Sequence, residues 1–171
     1  NLPTTAQVFN PSDWLTYDTI TIDDNVIEDD LTDFPVYIDL ADLSSDFWAS
    51  TTLTDIRVTT DTNTELPREV VSGSTTAQTG EMYFKADLSS TTDNTFRIWY
   101  NGTTTDDYVR TDTYGTENVW TNGYIRVYHF EEDPTGDAPQ FNDSSPLGVD
   151  SYLVGTSSAE DSVVGQLGGA L

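Results

Sequence analysis

The chain has 171 residues, enough for one ordinary domain with a sizeable core, or one domain and the opening of a second, and too few for two full enzymes. It contains no cysteine and one histidine, His129, which excludes a disulfide-stapled scaffold, a thiolate zinc site and a cysteine enzyme, and argues against a His-rich metal centre. Thirty acidic residues against six basic ones give a formal net charge of -24. That excludes nucleic acid and anionic membrane surfaces as partners, since both are bound through clustered Lys and Arg.

A folded protein of 18.9 kDa exposes on the order of 8,300 Å², so the net charges lie roughly 19 Å apart. This exceeds the Debye length of about 8 Å at physiological ionic strength, so self-repulsion is tolerable there and shrinks further in brine. Lys85 is the only lysine and most of the acids are Asp, a composition that reads as a salt-adapted exterior or, alternatively, as an acidic, threonine-rich marine or cell-surface protein. Aromatic residues make up 12% and are spread along the chain, which argues against disorder. No apolar run reaches the roughly 18 residues of a membrane span, so direct membrane insertion is not expected. The chain opens on Asn1 rather than Met, which reads as a mature or excised form.

Alternation at period two dominates. Residues 17–23 (YDTITID) place Ile20 and Ile22 on one face and threonines on the other. Residues 34–40 (FPVYIDL) form a second expected strand with Val36 and Ile38 inward, and Pro35 marks an edge or a start. A short helical stretch of a turn or two is expected at 43–48 (LSSDFW). Residues 55–60 (DIRVTT) put Ile56 and Val58 inward, and 61–65 (DTNTE) turn the chain into a strand over 66–71. Strands over 81–87 (EMYFKAD) and 95–100 (TFRIWY) follow, the latter with Phe96 and Ile98 inward and closed by the turn dipeptide Asn101-Gly102. Residues 103–121 are polar and read as a linker. Residues 123–131 (GYIRVYHFE) alternate again, and a weaker strand is expected at 151–154. About seven short strands separated by turns make an all-β protein, a β-sandwich or jelly roll of antiparallel sheets.

The run YDTITID, DLTDFPVYIDL, Phe47-Trp48, DIRVTTDTNTELPREV, GEMYFKAD and FRIWYNG resembles a secreted bacterial and archaeal domain family of unassigned function. That family precedes concanavalin A-like domains of the laminin-G type in large surface proteins. Residues 119–145 (VWTNGYIRVYHFEEDPTGDAPQFNDSS) and 165–171 (GQLGGAL) resemble the opening of that lectin-like domain. The resemblance implies a β-sandwich over 1–102, a linker over 103–121 and an incomplete concanavalin A-like unit over 122–171, in an extracellular setting on a cell or virion surface. It supplies no activity.

Concanavalin A-like glucanases carry Glu-x-Asp-x-x-Glu on one strand, because residues two apart share a face and the pair works as nucleophile and acid. Here Glu131 and Asp133 fill two positions and the third falls on Gly136, so no enzyme is expected. His129 reads as a structural histidine. No cofactor is required, and calcium is the candidate ion, since it takes six to eight oxygens from loop carboxylates and carbonyls. The best cluster is Glu131, Glu132, Asp133, Asn142 and Asp143, with a second acidic loop at Asp23, Asp24, Glu28, Asp29 and Asp30. Sequons stand at Asn101 and Asn142. Trp14, Trp48, Trp99 and Trp120 read as packing residues rather than a sugar platform. Gly168, Gly169, Ala170 and Leu171 form a small apolar end suited to burial against a neighbour.

The expected function is a non-catalytic surface module, structural or adhesive. The alternative is a self-assembling filament or capsid/tail-exterior subunit, and a weaker one is a carbohydrate-binding, lectin-like module. Expected partners are copies of itself, another surface or virion protein, or glycans.

Overall fold

The computed structural model describes residues 9–103, 106–155, 163–164 and 169–170. Seven strands build two antiparallel sheets: β1 (Trp14–Ile22), β2 (Leu31–Asp39), β3 (Arg57–Thr60), β4 (Glu65–Leu66), β5 (Arg68–Ser74), β6 (Thr79–Leu88) and β7 (Asn94–Gly102). One sheet has the order β1-β7-β3-β4 and the other β2-β6-β5. The protein is an all-β sandwich, as the alternation predicts.

The core lies between the sheets. Val36, Ile38, Ile56, Val58, Phe96 and Ile98 are buried in one cluster with Met82 and Phe84, and Ile20 and Ile22 pack against its margin. Each of these sets follows the i, i+2 spacing that puts side chains on one face of a pleated strand. Burying an aliphatic or aromatic side chain of this kind stabilises by about 1.5–3 kcal/mol, so this layer carries most of the fold's stability.

The short helix is α1 (Ser45–Ser50), one residue pair later than expected. Ser44 caps it by accepting from the Phe47 amide at 3.2 Å, and Asp18 on β1 in turn accepts from the Ser44 amide at 2.8 Å. The helix thereby drives Phe47 and Trp48 into the core, with Phe47 edge-on to Tyr100 at 5.2 Å.

Several expectations require correction. The single strand over 66–71 is two strands in different sheets: β4 pairs with β3, β5 pairs with β6, and the chain crosses between the layers at Pro67. Proline cannot donate to a ladder, so a continuous strand breaks there. The Asn101-Gly102 pair is not a hairpin turn, because β7 runs through it to pair Gly102 with Trp14. Asn101 takes φ 57°, and a Cβ on Gly102 would stand 2.6 Å from Trp14 Nε1, so the glycine is there for close approach. Residues 123–131 form no strand; they are irregular, with Phe130 at φ 56° and Tyr124 and Ile125 exposed. Alternation there finds no partner strand. Residues 151–154 contribute one isolated bridge, Phe141 to Ser151.

Residues 106–121 pack against the sandwich: the Arg68 amide donates to the Tyr114 carbonyl at 3.2 Å, and Val119 and Trp120 are buried. β8 (Val163–Val164) pairs antiparallel with β9 (Gly169–Ala170).

Candidate functional site

Glu69 faces away from the sandwich core on β5, opposite Tyr83 of β6, yet it is only 6% exposed, because residues 110–144 cover it. Three side chains from that cover converge on its carboxylate. Trp120 Nε1 donates to Oε2 at 2.6 Å, Ser144 Oγ donates to Oε1 at 2.6 Å, and His129 Nε2 lies 3.2 Å from Oε2. The His129 ring stacks on Tyr83 at 5.7 Å, and Trp120 tilts against both Tyr83 and His129. A buried carboxylate is costly unless its oxygens are hydrogen-bonded. Here the donors meet that requirement and fasten a loop-rich segment to a sheet.

Beside this knot lies a cleft of about 450 Å³ whose walls include Glu69, Arg110, His129, Glu131, Glu132 and Asn142. Burial and the neighbouring Glu81 raise the Glu131 carboxyl above its ordinary value. Glu132 Oε1 accepts from both the backbone and side-chain nitrogens of Asn142, at 2.9 and 2.8 Å.

The carboxylates of the expected calcium cluster do not converge in threes. No three of Glu131, Glu132, Asp133 and Asp143 bring carboxylate oxygens within 4.8 Å of one another, and Glu132, Asp133 and Asp143 are each engaged by nearby loop donors. Asp133 Oδ1 accepts from the amide and hydroxyl of Thr135. Asp143, fully buried, accepts from the amides of Val127, Ser145 and Val149 and from the Ser145 hydroxyl. Burial works to raise its pKa, but these hydrogen bonds outweigh burial and hold the carboxyl below 3.8. Among the described residues, the carboxylates that do converge are Asp23, Asp24 and Asp93, two of them in the second acidic loop.

The sequon asparagines are placed differently. Asn101 is a partly buried strand residue. Asn142 is exposed, its amide donates to Glu132, and the hydroxyl of its sequon partner Ser144 is buried on Glu69. Of the small apolar end, Gly169 and Ala170 form β9, while Gly168 and Leu171 lie outside the described residues.

Sequence reasoning also missed an electrostatic centre built on Arg57 and on Arg68, the residue that precedes Glu69 on β5. Arg57, 1% exposed, lies between the rings of Trp14 and Tyr108 at 5.1 and 4.3 Å. Its guanidinium donates to the carbonyls of Thr54, Ile56 and Asp106 and stands 3.8 Å from the buried Glu65. Tyr108 donates to Glu65 at 2.6 Å, and burial lifts the Glu65 carboxyl above its ordinary value. Next to it, Arg68 bonds the Ile56 carbonyl and Asp107.

The remaining cations are similarly engaged. Lys85 reaches Asp33 and Thr121; Arg97 bonds Asn63 and lies over Tyr17; Arg110 bonds the Asp143 carbonyl and faces Glu117 and Asp150; Arg126 faces Asp143. All six basic residues of the chain therefore have internal partners, and all but Arg97 fasten or organise residues 106–150. Their scarcity was the one signal in the sequence that each has a fixed structural place.

Comparison of the chain with protein-family models, with curated proteins and with solved structures found no match.

Proposed function

We propose that this chain is a non-catalytic extracellular module, structural or adhesive, which works by attachment at a cell or virion exterior. The observation that carries this reading is the direction of the Ser144 hydrogen bond. An activated serine gives its proton to an imidazole that is itself oriented by a carboxylate. Here the hydroxyl donates to Glu69, and His129 approaches the same carboxylate from the other side, so nucleophile and base are both held by the acid and not by each other. The arrangement is suited to fixing residues 120–144 on β5. An exterior without unengaged Lys or Arg adds support, since it favours dispersal and attachment in brine over contact with polyanions. The resemblance of residues 17–102, 119–145 and 165–171 to that secreted family supports the extracellular setting.

The test is to offer the intact chain immobilised polysaccharides and intact cells, and to measure attachment and product release in parallel. Saturable attachment without glycan or ester turnover is expected, and Ser144→Ala should lower stability without abolishing any reaction. Turnover lost in Ser144→Ala or Glu69→Gln would overturn the non-catalytic reading. Absence of attachment to every surface would overturn the adhesive one.

A second reading, a self-assembling exterior subunit, is favoured by one feature: among the described residues, the outer edge of the nine-residue β1 pairs with no strand.

A further inference from the structure

The two sheets end in four edge strands, β1, β4, β2 and β5. A free edge presents unpaired backbone donors and acceptors, and proteins that remain monomeric blunt it with brevity, proline, bulges, charge or a covering segment. Three of these edges carry such devices. β4 is two residues long. β2 contains Pro35 and a register shift between Leu31 and Phe34, with Asp33 at φ 52°. β5 has a shift between Val70 and Ser72 and packs against the short helix Thr116–Asn118.

β1 carries none. It runs nine residues, Trp14–Ile22, in unshifted register with β7, and among the described residues nothing pairs with its other edge. Its outward side chains, Leu15, Tyr17, Thr19 and Thr21, are exposed and uncharged. Its one acid, Asp18, is directed inward and accepts from the Ser44 amide and hydroxyl and the Tyr100 hydroxyl. On a chain of net charge -24, the outer face of this strand is an uncharged, β-branched and aromatic stripe where a second acidic copy can approach without carboxylates meeting on that face.

We propose that β1 pairs antiparallel with β1 of a second copy, about a two-fold axis at Thr19, joining two four-stranded sheets into one. This deepens the assembly reading and rests on it. A two-fold antiparallel pair must set one residue opposite its own image. An axis at Asp18 would oppose two carboxylates. An axis at Tyr17 would bring together two tyrosines that each carry an Arg97 guanidinium 5.0 Å from the ring. The axis at Thr19 avoids both: it sets Tyr17 opposite Thr21 and Asp18 opposite Ile20, with aromatic and β-branched side chains facing across the outer surface.

The absence of cysteine permits a direct test. Residues directly opposed in an antiparallel pair have Cα atoms about 4.5–5.5 Å apart, within the reach of a disulfide. Single variants Leu15→Cys, Tyr17→Cys, Thr19→Cys and Thr21→Cys, with Thr62→Cys in an exposed turn as control, are oxidised with diamide in about 3 M KCl. Thr19→Cys is expected to yield covalent dimer several-fold faster than the others, and the solution mass of the unmodified chain is expected to double between about 0.1 and 3 M KCl as repulsion is screened. Fastest crosslinking at any other position, or none above the Thr62→Cys control, overturns the proposal, as does an unmodified chain that stays monomeric at millimolar concentration in high salt. Failure here leaves attachment to foreign surfaces standing, because that is measured separately on cells and polysaccharides.

Discussion

The indole of Trp120 donates to the carboxylate of Glu69 at 2.6 Å, across 51 residues of chain, and this bond joins the polar segment after β7 to the outer face of the three-stranded sheet. With Ser144 and His129 on the same carboxylate, Glu69 is one of the points at which the covering loops are fastened to the sandwich.

Glu69→Gln should therefore loosen the cover more than the core. The amide keeps the shape but replaces one acceptor oxygen with a donor that faces Trp120 or Ser144, leaving a buried donor unsatisfied at a cost of about 1–3 kcal/mol. Urea unfolding followed by far-UV and by tryptophan signals should show a lower midpoint by both probes, with the tryptophan transition shifted further. An unchanged midpoint would mean that the cover is held by apolar packing alone.

Arg57 and Glu65 make a buried pair at 3.8 Å. Removing one partner from such a pair leaves an uncompensated charge, so Arg57→Met should destabilise by about 3–5 kcal/mol. Arg57→Met combined with Glu65→Leu should recover the part of that loss that comes from the uncompensated carboxylate, but not the part from the carbonyls of Thr54, Ile56 and Asp106, which lose their donor in both variants. Thermal melting of both variants distinguishes this from a loss caused by the cation–π packing on Trp14 and Tyr108, which the double variant would not restore.

The pH dependence divides by sign. Asp143 has its folded pKa below 3.8, so its contribution is complete above the unfolded value and is lost as pH falls through the folded one. Glu65 has its folded pKa raised above 4.5, so its contribution is complete below the unfolded value and is lost as pH rises through the folded one. Denaturant midpoints from neutral pH downward should thus show an acid limb below pH 3.8 that Asp143→Asn flattens. Glu65→Gln should remove a decline on the rising side of pH 4.5. Identical profiles for the wild type and both variants would refute these assignments.

Salt should stabilise the fold over the molar range. With 30 acids and every cation engaged internally, repulsion between exterior carboxylates is the term that added KCl screens, while the buried pairs around Arg57 and Arg68 are little affected. A melting temperature that is flat or falls between about 0.1 and 3 M KCl would contradict this.

The sequence by itself determined the sandwich and its lining. Period-two alternation is a local property, and Ile56/Val58 or Phe96/Ile98 must share a face wherever the strand is placed. Through Pro35 it left β2 as an edge or a strand start, of which the structure makes it an edge, and it anticipated the short helix that delivers Phe47 and Trp48. Only the tertiary structure decided which segments found partners. Residues 123–131 alternate as well as β1 does, yet stay irregular and pair with no strand among the described residues, whereas residues 66–71 are divided between two sheets at Pro67. The site is of the same kind. Nothing near Glu69 in the chain signals that Trp120, His129 and Ser144 will close on it, nor does Arg57 signal its burial between Trp14 and Tyr108. Periodicity fixes the face a side chain takes on its own strand, while the burial of a charge depends on what the rest of the chain lays over that face.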